Sequence, residues 1–227
     1  MLERKLSKDG SIHVTDEIYN TAISSVGTLL AALGSALLIF QSLVAQKPWH
    51  LLAFSIYSFG LVNLFLLSAL HHGINSTERV ENILRRLDYF IIFIMIAGAM
   101  TPFCLILLRT TYGFSILGFM WILALGGIAI QLKFPHLPKW FTTGQYIGLG
   151  WLGCIVVYNV WDLLPWEALF LLVLGGLIYT VGAVIYVVEK PNPFPGKFGF
   201  HEIWHLFVLA GTACHFSILY FYLLPHP

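Results

Sequence analysis

Two histidines separated by three residues, His201 and His205, open an apolar stretch that continues to Leu224. In a helix this spacing places both imidazoles on one face, where they can bind one metal ion. The same residues match the H-E-x-x-H pattern of zinc hydrolases, in which the glutamate, here Glu202, is the general base. Because the stretch is apolar enough for a lipid bilayer, the other groups around this metal must come from neighbouring membrane helices.

The composition is that of an integral membrane protein. The chain is 58% hydrophobic and 10% charged, with a mean hydropathy of +0.82, far outside the range of soluble domains. A helix needs about 20 apolar residues to cross the hydrocarbon core of a bilayer. We therefore predict an all-α protein, one transmembrane domain over residues 1–227. Its seven predicted spans cover residues 19–45, 51–72, 88–109, 112–133, 143–163, 166–189 and 201–224.

Other features of the composition limit the functional classes. The first fifteen residues are polar, so no cleavable signal peptide is expected. Three cysteines, all within apolar stretches, favour packing roles over a disulfide framework. The net charge of +1, with dispersed basic residues, argues against a nucleic-acid partner.

Lysine and arginine in the short loops predict the orientation. With the N-terminus in the cytoplasm, only Lys47 and Arg109 of the 12 basic residues lie on the outer side. Seven spans then place the C-terminus outside, in a multi-pass cell membrane protein. The inner basic residues are Arg4, Lys5, Lys8, Arg79, Arg85, Arg86, Lys133, Lys139, Lys190 and Lys197.

This orientation brings polar residues from four spans to the cytoplasmic side. Ionisable groups at membrane depth are costly unless they are paired or bound to metal, so they are functional candidates. No comparable cluster falls at the outer ends. The residues at this level are Glu17 and Asn20 in the first span, Ser68, His71 and His72 in the second, Asp88 in the third, and His201 and His205 in the seventh.

Three imidazoles and one water form the open tetrahedral site of a catalytic zinc. His72 is the best third ligand beside His201 and His205, with the adjacent His71, or no further histidine, as the alternatives. Zinc lowers the pKa of bound water to about 7, which supplies hydroxide at cytoplasmic pH. The sequence therefore predicts a Zn²⁺ site at the inner membrane face.

Two residues are candidates for catalytic roles at this site. Asp88 can hydrogen-bond the reacting water or orient a ligand; alternatively it is a helix-start acid favoured by the macrodipole, or it pairs with Arg85 or Arg86. Ser68, one turn before His72, can assist from the second helix or bond to its own backbone.

The remaining polar residues suggest structural roles. His215 lies about 15 Å beyond His205 along the helix, too far for the same ion, and is expected to be a hydrogen-bonded core residue. Glu17 and Asn20 are expected to be structural polar groups, with substrate contact as the alternative. A protease mechanism would use Glu202, with Glu189 as a further acid. The histidines expected in loops or tails are His13, His50, His136 and His226.

Taken in order, these residues resemble the motifs of the hemolysin III family, the bacterial branch of the progestin and adipoQ receptor superfamily. The resemblance covers essentially all seven spans. The motifs are Glu17-x-x-Asn20, Ser68-x-x-x-His72, Asp88, the Ala97-Gly98 to Thr101-Pro102-Phe103 stretch, His201-x-x-x-His205 and Cys214-His215-Phe216.

The resemblance implies a seven-helix bundle with a cytoplasmic N-terminus and zinc held by His72, His201 and His205. It also implies that Asp88 and Ser68 lie close to the metal and that Glu202 is not a catalytic base. Adiponectin receptors and alkaline ceramidases look similar at this site, which is linked there to hydrolysis of lipid amides. In two positions where members often carry histidine, this chain has Ser24 and Tyr89; neither position is an expected zinc ligand.

The leading hypothesis is therefore a zinc-dependent membrane hydrolase that acts on a lipid amide or ester from the cytoplasmic leaflet. A membrane lipid is the expected substrate, and no protein partner is indicated. The alternatives are a receptor or regulator with a structural zinc and no turnover, a pore-forming cytolysin, and an intramembrane metalloprotease.

Overall fold

Helices account for nearly all of the structure, a computed structural model that describes residues 17–227. Arg4, Lys5, Lys8 and His13 lie outside the described residues, and the orientation in the membrane stays a prediction. The helices are α1 (Glu17–Val44), α2 (Pro48–Gly73), α3 (Glu78–Pro102), α4 (Thr111–Lys133), α5 (Lys139–Trp151), α6 (Gly153–Val160), α7 (Trp166–Val188) and α8 (Phe200–Ile218). Short π-helical segments extend α3 to Leu107 and α8 to Leu223.

Six of these helices, α1, α2, α3, α4, α7 and α8, are long and apolar enough to cross a membrane. The predicted fifth span, 143–163, is not continuous, because Leu152 separates α5 from α6. Three glycines, Gly148, Gly150 and Gly153, surround this break, and each weakens a helix by about 1 kcal/mol relative to alanine. The protein is a multi-pass membrane protein, and its predicted fifth span is divided between two short helices.

The third helix begins earlier than the hydropathy pattern predicts. It starts at Glu78, so Asp88 lies ten residues, or about 15 Å, inside the helix. The interpretation of Asp88 as a helix-start acid is therefore wrong. Hydropathy marks only the apolar part of a helix, and the polar first turns of α3 are good helix formers that continue the same hydrogen-bond ladder towards the cytoplasmic side.

Pro102 disturbs α3 as its sequence position predicts. Proline has no N–H for the helical ladder, and beyond it the backbone changes to π-helical bonding, with the Leu108 N–H donating to the Phe103 carbonyl at 3.1 Å. The same change ends the last helix, where the Leu224 N–H donates to the Leu219 carbonyl at 2.8 Å.

At the predicted outer end of the bundle, side chains from the start of α2 contact the end of the last helix. His50 was expected in a loop, but it lies buried in the first turn of α2, with its Nε2 3.0 Å from the carbonyl oxygen of Leu223. Lys47 donates to the neighbouring carbonyls of Leu224 and His226. A basic side chain at the C-terminal end of a helix satisfies carbonyls that the helix leaves unpaired.

Adjacent glycines and small residues four apart in the sequence favour close helix contacts, and the structure shows such contacts at only some of these positions. A Cβ on Gly127 of α4 would overlap the ring of Phe93 in α3, whereas a Cβ on Gly126 would meet no atom within 4 Å. The small-xxx-small spacing of Gly144 and Gly148 also favours a close helix contact, but a Cβ on either would meet no atom within 4 Å among the described residues. The spacing of small residues did not distinguish a packed face from an open one.

Replacing Gly127 with alanine should destabilise the protein by about 1–3 kcal/mol, because the added methyl group overfills the contact with Phe93. The neighbouring Gly126→Ala variant is the control, since it adds the same methyl group in open space and improves helix propensity. Thermal unfolding in detergent should give a melting temperature several degrees lower for Gly127→Ala only. Equal melting temperatures for the two variants would contradict the packing.

Candidate metal centre

The loop before α8 fixes where its two histidines begin. Pro193 and Pro195 interrupt helical structure after α7, and the helix starts at Phe200. The Glu202 carboxylate accepts a hydrogen bond from the Gly199 N–H at 2.7 Å, and the Asn192 side chain accepts one from the Phe200 N–H at 3.1 Å. These two bonds satisfy donors that a helix N-terminus leaves unpaired. His201 and His205 therefore occupy the first two turns of a firmly anchored helix.

The structure brings His201 and His205 together with His72 from α2. All three side chains are buried, and one ring nitrogen from each lies within 4.8 Å of the others. Nε2 of His205 and Nε2 of His72 are 3.2 Å apart. The His201 and His205 rings stack at 21°, whereas the His72 ring stands at 87° to both. The three imidazoles thus converge on one point from two helices.

This donor set fits a divalent metal ion. Zinc binds histidine nitrogens at about 2.0–2.1 Å, so two ligands of one ion must be separated by little more than 3–4 Å. The 3.2 Å distance between His72 and His205 meets this requirement, and the 4.8 Å limit for the whole set needs only a small inward movement. Three neutral imidazoles suit zinc and other transition metals better than magnesium or calcium.

Glu17 of α1 is part of this centre, which the sequence reasoning missed. Its Oε2 lies 2.5 Å from Nδ1 of His72, and the His72 side chain is fully buried. Because a carboxylate only accepts hydrogen bonds, Nδ1 of His72 carries the proton, and Nε2 keeps its lone pair for a metal. Glu17 also accepts a bond from the side-chain amide of Asn20 at 3.3 Å. This arrangement is the usual support of a metal-binding histidine.

Asp88 of α3 lies beside the histidines from the other side. It forms a second group with His71 and His72, whose ligand atoms are within 4.8 Å of one another. Among residues 17–227 it makes no ion pair with Arg85 or Arg86, and the Arg85 guanidinium donates instead to the Asn82 side chain at 2.7 Å. Asp88 is therefore placed next to the three-histidine cluster rather than in an arginine pair.

Ser68 is buried one helical turn before His72, but its polar contact points to α1. Its Oγ lies 3.0 Å from Oγ of Ser24, and both side chains are buried. Ser24 is one of the two departures from the family resemblance noted in the sequence, and it is in direct contact with the candidate residue. Tyr89, the second departure, lies on the cavity wall with its hydroxyl 3.5 Å from that of Tyr186.

A cavity of about 730 Å³ begins at this centre and is mostly apolar. His201, His205 and Asp88 line one end, and the cavity continues along α5 and α6 to Trp161 near the predicted outer side. Tyr158 lines it while being 84% exposed, so the wall is open to the surrounding lipid. The volume is that of a small-molecule site, and its lining suits a hydrocarbon chain.

His215 lies on the wall of the same cavity, away from the cluster. Its Nε2 is enclosed without a hydrogen-bond partner in the described part of the chain, but the imidazole interacts with the backbone of Leu172, in line with the core histidine predicted from the sequence. The ring also fills the space opposite Gly175 of α7 and packs edge-on against Tyr179 at 5.5 Å. His215 thus contributes packing to the cavity wall.

The two acids of the protease alternative are used elsewhere. Glu202 is fully buried as the cap of its own helix. Glu189, at the end of α7, forms an ion pair with Lys139 of α5 at 3.0 Å. Neither carboxylate belongs to the groups that could hold a metal among residues 17–227, which weakens the protease interpretation.

These features define a multi-pass helical membrane protein with a buried histidine cluster at one end of a lipid-sized cavity. The sequence pattern of the haemolysin-III related family matches residues 12–216, and the chain belongs to this family. It is 35% identical to hemolysin-3 of Bacillus cereus over 212 residues, covering 93% of this chain and 94% of that protein.

Other relatives also match most of the chain. The hemolysin-3 homolog of Bacillus subtilis is 35% identical over 214 residues, which cover 94% of this chain and 97% of that protein. The human monocyte to macrophage differentiation factor is 27% identical over 201 residues, which cover 87% of this chain and 80% of that protein. The expected resemblance to the hemolysin III family is therefore confirmed.

Replacing Glu17 with glutamine should weaken metal binding about 10–100-fold, because the neutral amide no longer holds the His72 ring as a carboxylate does. Competition with a chelator measures the affinity directly and needs no enzymatic assay. The control is Asn20→Ala, which removes the neighbouring amide but leaves the bond from Glu17 to His72. Unchanged affinity in Glu17→Gln would show that the carboxylate does not support the site.

Proposed function

We propose that this protein is a zinc-dependent hydrolase that cleaves an amide or ester bond of a membrane lipid at the cytoplasmic face. The observation that carries this proposal is the position of Asp88, a carboxylate beside three convergent histidines at the end of an apolar cavity. The alternative interpretations do not account for this combination of an acid, a metal-binding set and a space for an acyl chain.

Each part of the site has a role in such a reaction. His72, His201 and His205 would hold the metal, and Glu17 would orient His72. Zinc held there would supply Lewis-acid chemistry to the substrate carbonyl and to water. Asp88 accepts the proton of the attacking water and returns it to the leaving amine or alcohol.

The cavity performs the remaining tasks. It binds the acyl chain along α5 and α6, which places the carbonyl at the histidine end. The exposed wall near Tyr158 lets a lipid enter sideways from the bilayer, so the substrate need not leave the membrane. Apolar walls also exclude bulk water, which strengthens the electrostatic action of the few polar groups.

The experiment that tests the proposal is metal analysis of the purified protein together with fatty-acid release from ceramide, diacylglycerol and phospholipids. The expected result is about one zinc per chain and zinc-dependent release from at least one lipid. Protein without stoichiometric zinc would overturn the metal assignment. Zinc without release from any of these lipids would instead support a receptor or regulator with a structural metal.

A further inference from the structure

The cavity-lining face of α3 carries two arginines at its cytoplasmic end. The α3 residues that line the cavity recur every three or four positions, as residues on one side of a helix do. Arg85 and Arg86 continue this series towards the predicted cytoplasmic end. Both arginines therefore line the cavity, and Arg86, which is exposed, also borders a smaller groove together with Arg79. The α3 residues that line the cavity are Asn82, Arg85, Arg86, Asp88, Tyr89, Ile92, Met95, Ile96, Ala99 and Met100.

The two arginines lie less than one helical turn from Asp88. Arg85 is three residues before Asp88 and Arg86 two residues before it, which corresponds to about 4.5 Å and 3 Å along the axis. Their long side chains can reach further towards the cytoplasm. A lipid whose scissile carbonyl lies at Asp88 would place its headgroup beside these guanidinium groups.

The charges of these arginines are not neutralised by acids of the described chain. Arg85 is half-buried and bonded to the neutral Asn82, and Arg86 is exposed; neither has a carboxylate partner among residues 17–227. Lys139 of α5, which also lines the cavity, differs in that it is paired with Glu189. The cavity therefore has two adjacent guanidinium groups, those of Arg85 and Arg86, available for an anion.

We propose that Arg85 and Arg86 bind the phosphate of an anionic glycerophospholipid, which makes an acyl ester of such a lipid the substrate class. This inference rests on the proposed function. Guanidinium groups bind phosphate oxygens through paired, charge-assisted hydrogen bonds. In a glycerophospholipid the phosphate and the central (sn-2) acyl ester are on neighbouring glycerol carbons, which matches the short axial separation between the arginines and Asp88.

The general preference for basic residues in cytoplasmic loops does not account for this arrangement. It explains the sign of the charge and the side of the membrane, but it does not select a helix face. Arg79 provides the comparison, because it lies on the same helix, is exposed and does not line the main cavity. Arg79→Gln is therefore the matched control for the loss of one positive charge at this end of α3.

The test measures binding of fluorescent short-chain phosphatidic acid and diacylglycerol in detergent, using Asp88→Asn protein to prevent turnover. Arg85→Gln with Arg86→Gln should raise the dissociation constant for phosphatidic acid roughly tenfold or more and leave that for diacylglycerol within about twofold. Arg79→Gln should change neither. Equal losses for both lipids, or no loss for phosphatidic acid, would overturn the proposal.

Two further measurements separate the alternative explanations. Zinc content and melting temperature establish that the double variant is folded, and Arg85→Lys with Arg86→Lys should recover only part of the affinity, because lysine lacks the guanidinium fork. Excess inorganic phosphate should not displace the lipid; displacement equal to that by unlabelled phosphatidic acid would indicate a site for free phosphate and overturn the lipid assignment.

Failure of the hydrolase proposal gives a different result from failure of this inference. Arginine-dependent lipid binding without fatty-acid release from any lipid would reject turnover and retain the headgroup site. Zinc-dependent release that is equally fast from diacylglycerol and phosphatidic acid, in wild type and in the double variant, would retain the hydrolase and reject the headgroup site.

Discussion

Replacing His205 with alanine should reduce bound zinc from about one ion per chain to almost none after mild chelation. Loss of a supporting residue around a metal typically costs 10–100-fold in affinity, and loss of a ligand costs more. His205 is buried with its Nε2 3.2 Å from that of His72, and alanine supplies no nitrogen in its place. Elemental analysis of protein purified in detergent measures the effect.

His215→Ala is the matched control for this variant. It removes a second buried histidine from the same helix, ten residues further on and outside the metal-binding groups of the described chain. It should retain zinc, although its packing against Tyr179 is lost. Zinc retained in His205→Ala, or lost equally in both variants, would contradict the assigned ligands.

The choice between His71 and His72 follows from the same experiment. His72 faces Glu17, His201 and His205, whereas His71 forms its group with Asp88. His72→Ala should therefore lose zinc, and His71→Ala should retain most of it. Zinc loss in His71→Ala but not in His72→Ala would identify His71 as the third ligand and contradict the assignment to His72.

The sequence predicted the membrane level of the site better than its contacts. Hydropathy and basic residues placed His72, Asp88 and the α8 histidines at one end of their spans, and the structure brings them together. This worked because a polar side chain in a bilayer is costly, so its depth along a span carries information about its partners. Depth alone could not show that Glu17 faces His72, because that contact depends on how α1 and α2 are rotated about their axes.

The same limitation explains the errors in the helices. A window of apolar residues cannot detect the polar first turns of α3, so it started that helix ten residues late, at Asp88. It also cannot detect the break at Leu152, because both halves of the span are apolar. Small residues gave a mixed result, since Gly127 packs closely on Phe93 whereas Gly144 faces open space. Which side of a helix is packed is determined by its neighbours.

Replacing Asp88 with asparagine should lower the rate of lipid hydrolysis about 10²–10⁴-fold while leaving the zinc content unchanged. Asparagine has nearly the same shape, so the packing beside His71 and His72 is preserved, but the amide cannot accept the proton of the attacking water. Asp88 is not one of the three convergent imidazoles, and the metal should therefore remain bound. Fatty-acid release and elemental analysis on the same preparation measure the two quantities.

Asp88→Asn separates turnover from metal content. It therefore gives the sharpest distinction between a zinc-dependent hydrolase and a receptor or regulator with a structural zinc. Asp162→Asn is the control, because it removes an exposed acid in the loop between α6 and α7, far along the chain from the histidine cluster. It should leave both turnover and zinc unchanged. If Asp88→Asn loses zinc together with turnover, Asp88 holds the metal rather than the proton. If turnover persists at the wild-type rate, another group accepts the proton, and the role proposed for Asp88 is wrong.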